Sequence, residues 1–169
     1  MTHHHGETER RAVVITVSDR SARGERVDAS GPVAVAALVA AGFVCDAAVV
    51  VLDGEESVES ALTEAVDGGA RLIVTTGGTG VGPRDRTPEG TARVVSRPVP
   101  GIAEALRRVG AAVKPAGMLS RGIAGIVDTD HGGALVVNLP GSPGAVAEGM
   151  PIVLSVAAHV LDQLGGGDH

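Results

Sequence analysis

Aromatic side chains are nearly missing from this chain of 169 residues: Phe43 stands alone, with neither Trp nor Tyr. A core built on stacked rings is excluded. The 44% of residues that are hydrophobic must pack through Val, Ala, Leu and Ile on closely spaced elements. Cysteine is almost as scarce. With Cys45 alone, neither an intramolecular disulfide nor a Cys-based zinc site is available, and its place in a strand-like stretch predicts a buried core thiol. A basic excess is lacking too: 14 Lys and Arg against 20 Asp and Glu leave a formal net charge of -6, which argues against a nucleic-acid partner. A phosphorylated small molecule must then be held locally, by backbone amides, a few cationic side chains or a metal. No N-terminal stretch has signal-peptide form and no uninterrupted apolar run is long enough to span a bilayer, so a cytoplasmic protein without a membrane partner is expected. His3, His4 and His5 open an arm, residues 1–11, expected to be disordered and without function. The tail 165–169 is likewise set apart from the domain at 12–164.

What is present alternates strands with helices. Val13 to Val17 is a short apolar, β-branched run, the pattern of a strand covered on both faces. Pro32 suits a first helical turn, and that small-residue helix runs to about Ala41 before Gly42. It is apolar almost all round, which implies cover on more than one side, from a neighbouring subunit among other candidates. A second strand is expected from Val44 to Leu52. Val58, Ala61, Leu62, Ala65 and Val66 then mark an amphipathic helix closed by Gly68 and Gly69. Leu72 to Thr76 predicts a third buried strand, Thr87-Pro88-Glu89 a helix start with Thr87 as cap, and Pro100 a further helix. Ile123 to Val127 and Leu135 to Leu139 are further strands. Their link, Asp128 to Gly133, offers possible metal ligands but reads better as a polar hairpin tip. Gly144 to Leu164 is helical, with Pro151 breaking or restarting it. The pattern predicts one three-layer α/β/α domain on a mostly parallel sheet with an antiparallel edge region. In such sheets ligands bind where loops leave the carboxyl ends of the strands. Ser18-Asp19-Arg20, Gly77 to Asp85 and Asn138 to Ser142 leave strand ends here.

Thr75-Thr76-Gly77-Gly78-Thr79-Gly80-Val81-Gly82-Pro83-Arg84-Asp85 is the most informative segment. Glycines after a buried strand let backbone N–H groups turn toward one point and make an anion nest, to which the Thr79 hydroxyl can add. Two familiar nucleotide motifs fail on it. A dinucleotide fingerprint from Gly78 needs Gly where Pro83 stands, and a phosphate loop from Gly77 needs Lys at the same place.

The whole segment is more specific than its glycines. Thr-Thr-Gly-Gly-Thr-Gly, then Pro-Arg-Asp, then Thr-Pro-Glu closely resembles the MogA/MoaB family and the related domain of gephyrin-type proteins. Val17-Ser18-Asp19-Arg20, Leu119-Ser120-Arg121-Gly122 and Asn138-Leu139-Pro140-Gly141-Ser142 are similar to other family segments in the family's order. The resemblance covers Val14 to about Leu164. It implies a three-layer α/β fold, often trimeric, that binds molybdopterin, with ATP as co-substrate and magnesium as cofactor in the catalytic members. It implies Asp85 as the catalytic carboxylate and Asp53 as the acidic residue after the second strand, both on the metal. Gly54 interrupts the family's usual pattern beside Asp53. Ser18, Asp19, Gly77, Gly78, Thr79, Gly80, Ser120, Arg121, Asn138, Pro140, Gly141 and Ser142 fall in substrate- or nucleotide-binding loops, with Arg84 a further phosphate ligand.

Adenylyl transfer crowds negative oxygens that must be neutralised and held. Magnesium prefers oxygen ligands and takes one or two carboxylates plus phosphates. Asp53 and Asp85 suit that use, while Asp53 equally suits a helix cap. The resemblance therefore implies molybdopterin adenylylation within molybdenum-cofactor biosynthesis, upstream of a molybdate-insertion enzyme. The alternative is a non-catalytic molybdopterin carrier that kept the pocket.

Overall fold

A computed structural model describes residues 10–167. The chain runs β1 (Arg11–Val17), α1 (Asp19–Ala22), α2 (Gly31–Ala40), β2 (Val44–Cys45), β3 (Val49–Val51), α3 (Glu55–Asp67) and β4 (Leu72–Thr76). It continues through α4 (Thr87–Ala92), β5 (Arg97–Pro98), α5 (Pro100–Val113), a 3₁₀ turn (Pro115–Leu119), β6 (Ala124–Val127), β7 (Ala134–Leu139) and α6 (Pro143–Leu164). One sheet holds every strand of the described residues in the order β2-β1-β4-β7-β6-β5, with β3 also on β1. β1, β2, β3, β4 and β7 pair in parallel, whereas β6 runs antiparallel to β7 and β5 to β6. The expected mostly parallel sheet with an antiparallel edge is what forms.

Successive residues of a strand face opposite sides, and the core divides accordingly. Val14, Leu72, Val74, Leu135 and Val137 pack under α2, α5 and α6, with Phe43 among them. Ile15, Val17, Ile73 and Val136 meet Val58 and Leu62 of α3. The central strands are fully buried, as a sheet covered on both faces requires.

Several expectations are corrected. The strand at 44–52 is two short pieces. Between the Ala12↔Cys45 and Ile15↔Val49 pairings the edge chain carries one more residue than β1, a bulge that breaks the ladder at Asp46–Ala48. Cys45 is only half-buried on that edge. Burial and the neighbouring Asp46 push its thiol pKa up, so the site favours an unreactive thiol. Pro151 does not interrupt α6, whose turns continue past it because Pro151 lies on the exposed side. By length and composition α6 is apolar enough to cross a bilayer. Here Val146, Met150, Val153, Ala157 and Leu161 form its buried stripe on the sheet, the spacing of a core helix. β1 begins at Arg11, within the arm expected at 1–11, and the His3–His5 triplet lies outside the described residues. Asp128–Gly133 does turn β6 into β7. Asp128 is engaged by Arg97 at 2.8 and 3.0 Å, and Gly132 and Gly133 take positive φ. Among the described residues no group of three or more His, Cys, Asp or Glu is arranged for a metal.

Candidate active site

Parallel pairing of β1, β4 and β7 carries three loops to one end of the sheet, where they enclose a cavity of about 920 Å³. Ser18, Asp19, Asp53, Gly77 to Gly80, Asp85, Ser120, Asn138 and Pro140 to Ser142 line it. Arg84 and Arg121 do not.

The glycine loop is held from below. Gly77 has φ +92° and its N–H donates to Leu139 O at 3.0 Å, joining the ends of β4 and β7. A Cβ on Gly77 would collide with the Val17 carbonyl of β1, so only glycine lets the three strand ends meet. Gly78, at φ +69°, lies against Thr87 and Asp53. Thr87 is not a helix cap: Arg86 holds that position without a side-chain bond, and the Thr87 hydroxyl, fully buried, donates to Gly77 O at 2.9 Å. Ser18 and Ser142 do cap helices, accepting from Ser21 N and Ala145 N at 3.2 Å each.

Asn138 serves the scaffold. Its Oδ1 accepts from Ile123 N at 3.1 Å, and its Nδ2 donates to the hydroxyls of Thr75 (2.9 Å) and Thr91 (3.0 Å). All three partners sit on different segments, so the side chain ties β4, α4 and the start of β6 to β7. Asn138→Ala strands those buried groups, and a loss of about 1–3 kcal/mol is expected in denaturant titration. A loss under a few tenths would mean the network is dispensable.

The carboxylates are linked by the loops themselves. Asp19 N–H donates to Asp53 Oδ2 at 2.9 Å and Asp53 N–H to Asp19 Oδ1 at 3.2 Å. Asp53 is therefore no helix cap; Gly54 occupies that position before α3. Arg84 clasps Asp19 through Nε and Nη2 and donates to Asp53 O at 3.2 Å, which holds the Asp19 carboxyl below its ordinary range. Asp53 moves the other way. Burial is the chief cause, and the charges of Asp19 and Asp85 add to it. Asp85 Oδ2 accepts from Gly82 N at 2.9 Å, closing its own loop. Among the described residues Arg84 pairs with Asp19, while Asp53 and Asp85 line the cavity without a salt bridge to a cationic side chain.

Sequence reading missed the floor. Thr16 donates to Asp28 at 2.8 Å, Ser30 and Thr76 hydroxyls meet at 3.0 Å, and Gly31 N–H donates to Asp28 at 3.0 Å. The signal was Asp28, three residues before Gly31-Pro32, a capping pattern at the start of α2. An apolar lobe formed by Leu106, Val109, Val113 and Leu119, bordered by Arg107 and Lys114, was missed as well.

Fold and site together define an α/β protein that gathers a glycine loop and paired carboxylates at the strand ends of a mostly parallel sheet. The chain belongs to the family described as "Probable molybdopterin binding domain", which matches residues 13–159. It is 38% identical over 149 residues to the molybdopterin adenylyltransferase of Pyrococcus furiosus, covering 88% of this chain and 87% of that protein. It is 40% identical over 158 residues to a molybdenum cofactor biosynthesis bifunctional protein of Synechococcus elongatus, covering 94% of this chain and 48% of the relative. The chain thus spans about half the length of that bifunctional relative. Among solved structures, a molybdopterin biosynthesis protein from Mycobacterium abscessus superposes with a TM-score of 0.85 at 44% identity, covering 92% of this chain and 96% of that one.

Proposed function

We propose that the chain transfers the adenylyl group of ATP to molybdopterin in the cytoplasm, making adenylyl-molybdopterin for a downstream molybdate-insertion enzyme. The observation that carries this reading is the joint opening of Asp53, Asp85 and the glycine loop onto one cavity that the apolar Leu106, Val109, Val113 and Leu119 also line. That cavity has room for a nucleotide beside a pterin. An oxygen of molybdopterin attacks the α-phosphorus in line, the α–β phosphoanhydride bond breaks, and pyrophosphate leaves. The amides of Gly78 to Gly80 and the Thr79 hydroxyl hold phosphate oxygens, while the Gly77 amide stays on Leu139 O. The apolar lobe orients the pterin and excludes water.

Asp53 and Asp85 suit magnesium: both are oxygen donors, and both open onto the same cavity. When bound, magnesium supplies neutralisation of the triphosphate charge. Two carboxylates leave the remaining positions to phosphates and water. Ser120, Pro140, Gly141 and Ser142 border the same space and shape it. Homotrimeric assembly is part of the proposal, supported by the exposed Val39 on α2, a helix whose outer side is apolar.

The raised Asp53 pKa has a sign. Protons compete for the carboxylate at a pH above its ordinary value of 3.8, so magnesium binding weakens as pH falls through that raised value. The acid limb of turnover is expected to shift to lower pH when magnesium is raised tenfold. A limb fixed at every magnesium concentration would remove Asp53 from the ion.

Product analysis tests the function. Purified chain with ATP, magnesium and molybdopterin is expected to yield adenylyl-molybdopterin by mass spectrometry. Tight pterin binding with no such product leaves the carrier reading.

A further inference from the structure

The Arg121 guanidinium spans both ends of the Gly80–Asp85 loop. Its Nε donates to Gly80 O at 2.8 Å and its Nη2 to Asp85 O at 2.6 Å. Its remaining donors reach Glu89 at 2.8 and 3.0 Å, and its own backbone N–H donates to Thr79 O at 2.7 Å. Glu89, in the first turn of α4, is held below its ordinary pKa chiefly by that hydrogen bonding, so it stays a charged anchor. Within the loop Asp85 N–H donates to Gly82 O at 3.1 Å while Gly82 N–H returns to the Asp85 carboxylate. A Cβ on Gly80 or Gly82 would stand 3.0 or 2.8 Å from that same carboxylate oxygen. Asp85 is thus positioned by a small ring of backbone whose two ends one side chain ties together. Arg121 itself does not line the cavity.

We propose that Arg121, anchored by Glu89, is a positioning residue that sets the Asp85 carboxylate for adenylyl transfer and touches neither substrate. The proposal rests on the adenylyl-transfer reading above. A planar guanidinium satisfies two carbonyls and a carboxylate at once, whereas an ammonium is a point charge on a flexible stem. Charge alone is therefore insufficient.

Arg121→Lys separates charge from shape. A small displacement of a catalytic group costs on the order of 10²-fold in rate. For Arg121→Lys and Arg121→Gln, kcat is expected to fall by about that factor, with KM for molybdopterin within about threefold and the magnesium concentration for half-maximal rate raised. Glu89→Gln keeps shape and one acceptor, so a smaller fall in the same direction is expected. It also supplies a second variant should Arg121→Gln fold poorly. Amide hydrogen exchange at residues 80–85 should rise in the Arg121 variants while exchange in β4 and β7 stays protected. That readout is independent of turnover, so it still judges the strap if wild-type chain makes no product and the functional reading falls. Wild-type kcat with unchanged loop exchange in Arg121→Lys would overturn the proposal. So would a rise in pterin KM matching the loss in kcat/KM, which would place Arg121 on the substrate.

Discussion

Asp85→Asn is expected to lower kcat by on the order of 10²–10³-fold while leaving KM for molybdopterin nearly unchanged. The substitution preserves the shape of the side chain, so its carbonyl oxygen still accepts from Gly82 N–H and the loop keeps its ring. What disappears is a negative charge aimed at the cavity, and a charge that acts mainly in the transition state is read in kcat. Asp53→Asn should give a comparable defect, with a second consequence. Its carboxylate takes the Asp19 N–H at 2.9 Å, a bond that an amide oxygen can keep only if the side chain turns its nitrogen away. If both carboxylates hold one ion, the double variant loses less than the sum of the single losses. Full turnover in both single variants would refute a shared role, and simple additivity would assign them to separate tasks.

Gly77→Ala is expected to damage stability and binding together. Its φ of +92° disfavours any side chain, and an added Cβ would run into the carbonyl of Val17 at the end of β1. Backbone strain of this kind costs on the order of 1–3 kcal/mol before the collision is counted. Thermal unfolding should drop, and nucleotide affinity should fall with it because the strand ends must separate. Gly80→Ala is the informative companion. Its φ is not positive, and its Cβ would meet only the Asp85 carboxylate, at 3.0 Å. Unfolding should be close to wild type while magnesium-dependent nucleotide affinity falls on the order of tenfold, about 1.4 kcal/mol. Unchanged calorimetric affinity in Gly80→Ala would reduce the loop to a connector. Gly78→Val is a poorer test of binding than its neighbour, because the added Cβ would first overlap the buried Thr87 hydroxyl.

The parts of the fold that were legible in sequence were those whose residues report on their own neighbours. Val13 to Val17 and Leu72 to Thr76 are runs of apolar and β-branched residues because helices cover both faces of the central sheet. Gly77 and Gly78 were legible for a similar reason, since positive φ selects glycine locally. The edge was harder. Val49 and Val50 are exposed, so no core contact fixes a hydrophobic alternation there, and the bulge at Asp46–Ala48 left no local signature.

Arginine roles were not readable at all. A guanidinium near a glycine loop reads as a phosphate ligand. Yet Arg84 finds Asp19 at a separation of 65 residues, and Arg121 finds Glu89 at 32. Only the folded chain decides which carboxylate claims a cation first. Asn138 shows the same limit: its place in a resembling motif suggested ligand contact, while its polar atoms are spent on Ile123, Thr75 and Thr91. The hydroxyls of Thr16 and Thr76 escaped notice because a threonine at the end of a strand reads as an ordinary β-branched residue.

The central claim is that one cavity brings ATP and molybdopterin together for reaction, and pyrophosphate release measured with each substrate alone and with both tests it most directly. Magnesium and ATP without molybdopterin should release no pyrophosphate above background. Adding molybdopterin should start release in a one-to-one ratio with adenylyl-molybdopterin, and Asp85→Asn should suppress it. Pyrophosphate release from ATP alone at the same rate, or none with both substrates present and bound, would contradict the account.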